Sequence, residues 1–361
     1  MSRPAPAMQS NHLHDLHAAA GANLRPAAEA APLLSYGDVP GEYAAACRDW
    51  VVFDETDRGL LRLSGEDAAE FLHRLLANLV LPLEAGHGNR NLLLTAKGKV
   101  RFDFRLKHET EGDYLIDCSP HEASAILAAL DQYLFNDDVV IEDQSSRCAP
   151  LCLLGPAAFE SAAKALALEV PSAQWESWRG VFSGAALTVT RVERCGQEAL
   201  ALDAGPQAAA ELWQTLCTAG ARPTGRIVAD ILRINNLAAI APDDITEDVY
   251  PQEARLERAF SLTKGCYIGQ EVVAKIDTYG GLNKRLCALR LEHDDPVPRG
   301  TRLYRQDPKT DEWRDLGLVT SWAYSFEDDN GRVLAYLKRR HQEPGSVFRV
   351  GEGPATATVI E

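Results

Sequence analysis

The sequence predicts an α+β body followed by a separate, small β-barrel. Three observations carry this. Strand-like apolar runs alternate with amphipathic helical stretches over the first two thirds of the chain. Near Arg285 the texture changes to short apolar segments broken by Pro, Gly and Asp turns. The length, 361 residues, is too great for one ordinary core. The expected division is a disordered tail at 1–35, a body at 36–284 with an internal boundary near 145–150, and a barrel at 285–361.

Taken in order, residues 1–35 are rich in Ala, Pro, Asn and His. His12, His14 and His17 have no partner ligands around them, so the segment reads as a tail rather than a metal site. Its basic residues are Arg3 and Arg25, set against Asp15 and Glu29, which is unlike an Arg-rich presequence. Leu60 to Leu63 reads as a strand. Ser64 is placed to cap a helix whose buried stripe is Ala68, Phe71, Leu72, Leu75, Leu76 and Leu79. Leu92–Thr95, Lys97–Lys99 and Val100–Leu106 read as strand, turn and strand, and Tyr114–Asp117 as a further strand. Ser119–Pro120 opens a helix with Ile126, Leu127, Leu130 and Leu134 on one face. Val139–Ile141 and Leu151–Leu154 are strands, and Gly155–Pro156 starts a helix. Leu187–Val192 and Ala199–Leu202 pair around Arg194–Gly196. Helices follow at Pro206–Thr218 and Arg226–Asn235. The expected barrel strands are Leu286–Leu291, Leu316–Ser321, Arg332–Leu337, Val347–Val350 and Thr356–Ile360.

Composition narrows the function. Hydrophobic residues make up 46% and charged residues 25%, as in an ordinary globular protein. No apolar stretch approaches the roughly 20 residues that span a bilayer, so no membrane partner is expected. The net charge is −15. Nucleic-acid surfaces need clustered Lys and Arg, and the longest run is Lys338-Arg339-Arg340, which reads as a solvated edge. Direct nucleic-acid binding is therefore not expected, although a local pocket for a small anion is compatible with any net charge. The eight cysteines contain no CxxC pair, and Cys148 and Cys152 bracket a strand-like segment. No resident metal site is expected. With no secretory signal in view, reduced thiols and a cytoplasmic location are the expectation.

The most informative segment is Thr263-Lys-Gly-Cys-Tyr-Ile-Gly-Gln-Glu-Val272. Glycines on both sides of Cys266 and Tyr267 call for tight or left-handed backbone. A cysteine beside Lys264 and near a helix start can ionise and act as nucleophile or metal ligand. A small buried hydrophobe in a Gly turn is the other reading of the same residues.

Lys264-Gly-Cys-Tyr-x-Gly-Gln-Glu271 resembles the signature of the YgfZ family, folate-binding relatives of the glycine-cleavage T protein. The resemblance extends over nearly the whole chain after the tail. Leu63–Leu72 resembles the family's first helix entry, with Asn78 in the place of its Asn before the next strand. Gly98-Lys99 with Asp103 resembles its central hairpin. Leu232–Ile234 and Pro251–Ala254 resemble the approach to the motif, and Asn283–Leu286 the entry to the barrel. The resemblance implies two α/β subdomains plus a C-terminal barrel around a central channel that holds tetrahydrofolate. It implies an accessory role in assembly or repair of iron–sulfur enzymes, indirectly supporting tRNA thiomethylation, with iron–sulfur clients or assembly proteins as partners. Cys266 would be the working thiol, with transient iron ligation open to it and Lys264 as a second catalytic residue, and Lys264, Tyr267, Gln270 and Glu271 would shape its pocket, the last three also meeting the cofactor. Asp103, Arg233 and Asn235 would contact folate.

The chain also departs from the T protein. That protein has two adjacent aspartates at the hairpin, where this chain has Phe102-Asp103. The pterin-holding Glu of Arg-Ile-Glu-Ala-Gly is replaced in Arg233-Ile-Asn-Asn-Leu237, so Asn235 keeps hydrogen-bonding capacity without the charge. An accessory factor is therefore expected ahead of a folate-dependent aminomethyl or N-methyl transferase. Arg226 and Arg233 share a helical face and could reach a folate tail or pair with Asp230. His73, His87 and His108 read as structural.

Overall fold

The computed structural model describes residues 13–24, 33–119, 122–307 and 309–360. Its body holds two mixed α/β subdomains. The first is a five-stranded antiparallel sheet in the order His87–Leu94, Val100–Thr110, Asp113–Cys118, Gly59–Ser64, Val140–Asp143. Helices Ala68–Leu75 and Ala123–Asp131 cover one face. Phe71, Leu72, Ile126 and Leu130 have no exposed surface, each worth about 2 kcal/mol of burial.

The second sheet runs Ser177–Phe182, Ala185–Arg194, Gln197–Ala204, Leu151–Leu154, Val51–Asp54, Arg222–Thr224. Its last pairing is parallel and the others are antiparallel. The strand Val51–Asp54 precedes the whole first sheet in sequence, so this subdomain is discontinuous. A single boundary near 145–150 does not describe it. Helices Ala158–Leu166 and Pro206–Thr218 pack on its outer face.

The C-terminal unit is a closed six-stranded barrel, Lys284–Leu291, Asn330–Lys338, Trp313–Ser325, Arg302–Gln306, Val347–Val350, Thr356–Val359. Cys287, Leu289, Val333 and Leu337 fill it. Leu286, Ala288, Leu334 and Tyr336 point the other way and join the central core of the body. Two of its strands are therefore buried on both faces, which hides the usual alternation. The union is sealed by Asp244, 1% exposed, which accepts from Arg233 at 2.8 Å and from the Ser321 hydroxyl at 2.7 Å.

Three further expectations are corrected. Ser64 ends a strand rather than capping a helix. Asp67 is the N-cap, and its carboxylate accepts from the Asp138 amide at 2.8 Å instead of capping its own first turn. The helix stops at Leu75, and Leu79 is 37% exposed rather than part of the buried stripe. Beyond the last turn the chain must turn extended, because Leu76 bridges to Leu93. Finally, the tail is not disordered throughout. Helix His14–Ala19 buries Leu13 and His17, four residues apart and so on one face. His17 Nε2 lies 2.8 Å from Asp54 and its Nδ1 2.7 Å from the Tyr36 hydroxyl. The strand Leu33–Ser35 pairs with Asn23–Leu24. Residues 1–12 and 25–32, with His12, lie outside the described residues, as does Pro120.

Candidate functional site

The signature segment is mounted where a hairpin meets a helix start. Gly98, in the turn between strands His87–Leu94 and Val100–Thr110, has φ +73°. Gly269, the N-cap of helix Gln270–Tyr279, has φ +79°. A Cβ on Gly269 would lie 2.6 Å from the Thr95 carbonyl oxygen and 2.8 Å from Gly98 Cα. Only two glycines permit backbone contact this close, with left-handed φ on both sides. Tyr267 is buried in the central core, and its hydroxyl has no hydrogen-bond partner. Burial pushes that phenol up to about 12.

Cys266 is exposed beside this anchor. Lys264 turns inward instead. Its ammonium donates to the carbonyls of His73, Leu76 and Asn78 at 2.7, 2.6 and 2.7 Å. It thereby satisfies carbonyls left open at the end of helix Ala68–Leu75. His73 returns a contact, its Nε2 3.2 Å from the Lys264 carbonyl oxygen. Glu271 is on the surface in an i,i+4 pair with Lys275 at 2.6 Å. Gln270 is half-buried in the first turn of the helix.

A second constellation lies between the subdomains, as three adjoining cavities that share lining residues. One of about 120 Å³ meets Glu55, Arg58, Arg194, Arg226 and Ile240. One of about 100 Å³ meets Arg58, Arg90, Asp103, Arg105, Glu193 and Arg194. The largest, about 330 Å³, meets Arg90, Trp175, Glu193, Ala239 and Arg258. That volume is in the range of small-molecule pockets. Arg58, Arg194 and Ile240 line both the first and the second, and Arg90 and Glu193 both the second and the third.

The middle of this channel is densely charged, with its arginines matched by carboxylates. Four arginines line the central cavity against two acids, Asp103 and Glu193. Beneath them runs a buried ion network. Arg58 is bonded to Asp117, Arg105 reaches Asp117 at 3.1 Å, and Arg194 lies 2.6 Å from Glu55. Burial by itself would raise the Asp117 carboxyl, but Arg58, Arg105 and Lys107 overcome it and hold it at about 2. Burial opposes Glu55 in the same way, and Arg194, Arg58 and Arg105 bring its carboxyl below the ordinary value. Asp103 is clamped by Arg90 through two bonds, 2.8 and 2.6 Å, and Arg90 also donates to the Ala239 carbonyl at 3.3 Å.

Of the residues expected at a ligand, Asp103 lines this channel. Cys266, Lys264, Tyr267, Gln270 and Glu271 line none of the three cavities. Arg233 and Asn235 are engaged at the barrel seam. Arg233 donates to Asp230, Asp244 and Ser321 at 2.6, 2.8 and 2.9 Å. Asn235 donates to the Tyr43 hydroxyl at 3.3 Å and accepts from Arg332 at 3.1 Å. These bonds give Arg233 and Asn235 structural places. Arg226 likewise pairs with Asp230 at 3.0 Å, while still lining the first cavity. Arg58, Arg90, Arg105, Trp175, Glu193 and Arg194 were not anticipated. The signal for Arg105 was a charged residue inside an apolar strand, which must be paired when buried.

The channel can hold a flat ligand with hydrogen-bond donors at one end and carboxylates elsewhere. Asp103 and Glu193 accept, Trp175 offers an aromatic wall, and guanidinium forks match carboxylates. No helix among the described residues is long and apolar enough to cross a membrane.

Comparison with known proteins agrees with this architecture. The solved aminomethyltransferase T of the Bartonella henselae glycine cleavage system superposes with a TM-score of 0.85, at 21% identity, over 97% of this chain and 96% of its own. In sequence, a chloroplastic protein of Arabidopsis thaliana assigned to the transferases is 28% identical over 84% of this chain and 68% of its own. The aminomethyltransferase of Saccharopolyspora erythraea is 25% identical over 94% of this chain and 92% of its own. The profile described as the GCVT N-terminal domain matches residues 13–264, well over half of the chain, and the protein therefore belongs to that aminomethyltransferase-like family.

Proposed function

We propose that this protein is a tetrahydrofolate-binding accessory factor for the assembly or repair of iron–sulfur proteins, with Cys266 as its working thiol. The observation that carries the reading is a separation of parts. The hairpin carboxylate Asp103 is held in a two-point ion pair with Arg90, whereas Cys266 is exposed on a rigid two-glycine mount outside the channel. A carboxylate neutralised by a guanidinium is suited to binding more than to proton transfer. An exposed thiol is suited to a macromolecular partner.

Folate fits the residues present. Its pterin carries N–H donors that Asp103 or Glu193 can accept, Trp175 can cover a ring face, and the arginines suit its glutamate carboxylates. When bound, folate would supply a one-carbon carrier. The chain's own residues would orient it.

The test is complementation of a bacterial strain lacking its YgfZ-type factor, with thiomethylated tRNA as the readout. Rescue by the unaltered chain and failure of Cys266→Ser supports the role and places it on the thiol. Rescue by both keeps the role and removes Cys266 from the chemistry. Rescue by neither, with both proteins folded, overturns the reading. The second reading, an aminomethyl or N-methyl transferase, is favoured by relatives named aminomethyltransferases that cover 94% of this chain. Methylenetetrahydrofolate formation from aminomethyl or N-methyl donors at ordinary enzymatic rates would establish it.

A further inference from the structure

The cation run Lys338–Arg340 does not stand alone at the end of the barrel. In the ladder, Arg305 lies directly opposite Arg314, and Lys284 directly opposite Lys338. Like charges facing each other across a ladder are destabilising, and here two such pairs occur in a chain of net charge −15. Arg305, Arg314, Lys338, Arg339 and Arg340 are all exposed. His341 sits among them with its Nδ1 buried and without a hydrogen-bond partner. Burial, then the charges of Arg305, Arg314 and Lys338, disfavour its protonation. Asp307 pairs with Arg314 within the group at 2.6 Å and Asp315 with Arg302 beside it at 3.3 Å, whereas Arg305, Arg339 and Arg340 pair with no acid among the described residues.

The cationic band also has a direction. Lys284 is close enough to Lys99 to add to the effect of burial on its ammonium, while Glu253, 3.7 Å away, opposes both. Lys99 closes the Thr95–Lys99 turn on which Gly269 is seated. Lysines thus lead from the barrel end to the turn that seats Gly269, three residues after Cys266 in the chain.

We propose that this band is the docking surface for an acidic segment of a protein partner, which it aligns toward Cys266. The proposal rests on the accessory-factor reading and supplies the kind of partner. Guanidinium forks match single carboxylates two bonds at a time, and a cationic band on an acidic protein selects an acidic patch mainly through steering and register. RNA fits less well. The net charge repels a long polyphosphate. The one large exposed aromatic of this region, Trp313, already has Arg349 stacked 3.8 Å from its ring centre, which takes a face that a base would need.

The test uses the full chain and a fluorescent oligoglutamate peptide, followed by anisotropy. The unaltered protein should bind it with an affinity that falls steeply with salt. The double variant Arg305→Glu/Arg314→Glu should bind about tenfold more weakly or worse. Because both residues are exposed and outside the three cavities, folate binding by that variant should match the unaltered protein and serve as its folding check. Equal peptide affinity in the two proteins overturns the proposal. Tighter binding of oligouridylate than of oligoglutamate overturns it in favour of RNA. Full displacement of the peptide by millimolar inorganic phosphate at constant ionic strength overturns it in favour of a small-anion site. Failed complementation with intact peptide binding would sink the iron–sulfur role and leave the surface standing.

Discussion

Replacing Lys264 with Met separates a clamp from a chemical group. The Lys264 ammonium touches three carbonyl oxygens at 2.6–2.7 Å, two of them at the end of helix Ala68–Leu75. Each charge-assisted bond of this kind is worth about 1.5–3 kcal/mol net, and the carbonyls abandoned by Met lose their partners as well. Water reaches the half-buried ammonium and lowers that sum. A loss of about 2–3 kcal/mol for Lys264→Met remains after this discount. Lys264→Arg should fall between, because a planar fork cannot converge on three oxygens as an ammonium does. Urea unfolding followed by far-UV circular dichroism measures this as a lower midpoint at constant slope. Complementation per folded molecule should survive. A stability change below about 0.5 kcal/mol, within the range of ordinary surface substitutions, together with lost complementation, would refute the clamp and assign Lys264 to the chemistry.

Three further outcomes are expected. Gly269→Ala forces a Cβ to 2.6 Å from the Thr95 carbonyl at φ +79°, so it should cost at least about 1–3 kcal/mol; an unchanged melting temperature would contradict the two-glycine mount. Asp117 has a folded-state carboxyl held at about 2 against an ordinary 3.8. Its contribution, roughly 2 kcal/mol, is present above the unfolded value and disappears as pH falls through the folded one. The stability gap between the unaltered protein and Asp117→Asn should therefore narrow from pH 5 to pH 2, and a constant gap would be inconsistent with the ion network. Arg90→Leu leaves Asp103 without its cation and should cost about 2–4 kcal/mol, more than the double change Arg90→Leu/Asp103→Leu. Strictly additive single effects in that cycle would mean the pair is not coupled.

The elements readable from the sequence were those whose signals are local. Pro206 at the first helical position and the apolar spacing behind it bound Pro206–Thr218 to the residue. Arg226–Asn235 and Leu151–Leu154 were equally legible, the first from its 3.6-residue period and the second from a short apolar run. The barrel was recognisable from its turns, although the strand Arg302–Gln306, mostly polar, was not. The Gly-Cys-Tyr-x-Gly segment announced tight backbone, and both of its glycines have positive φ. Burial of individual charges was not legible. Arg233 and Asp230 are near neighbours on one helix, but Asp244 and Ser321 come from elsewhere, and only their arrival makes Arg233 a buried seam. Lys264 reads as a neighbour of Cys266 in sequence, yet its ammonium belongs to a helix end almost 190 residues earlier. The channel is assembled from Arg58, Arg90, Asp103, Trp175, Glu193 and Ile240, supplied by separate strands and loops. Propensity and periodicity act over a few residues. Which charge is buried, and which partner satisfies it, depends on desolvation and contact across the whole fold, and that was decided only by the tertiary structure.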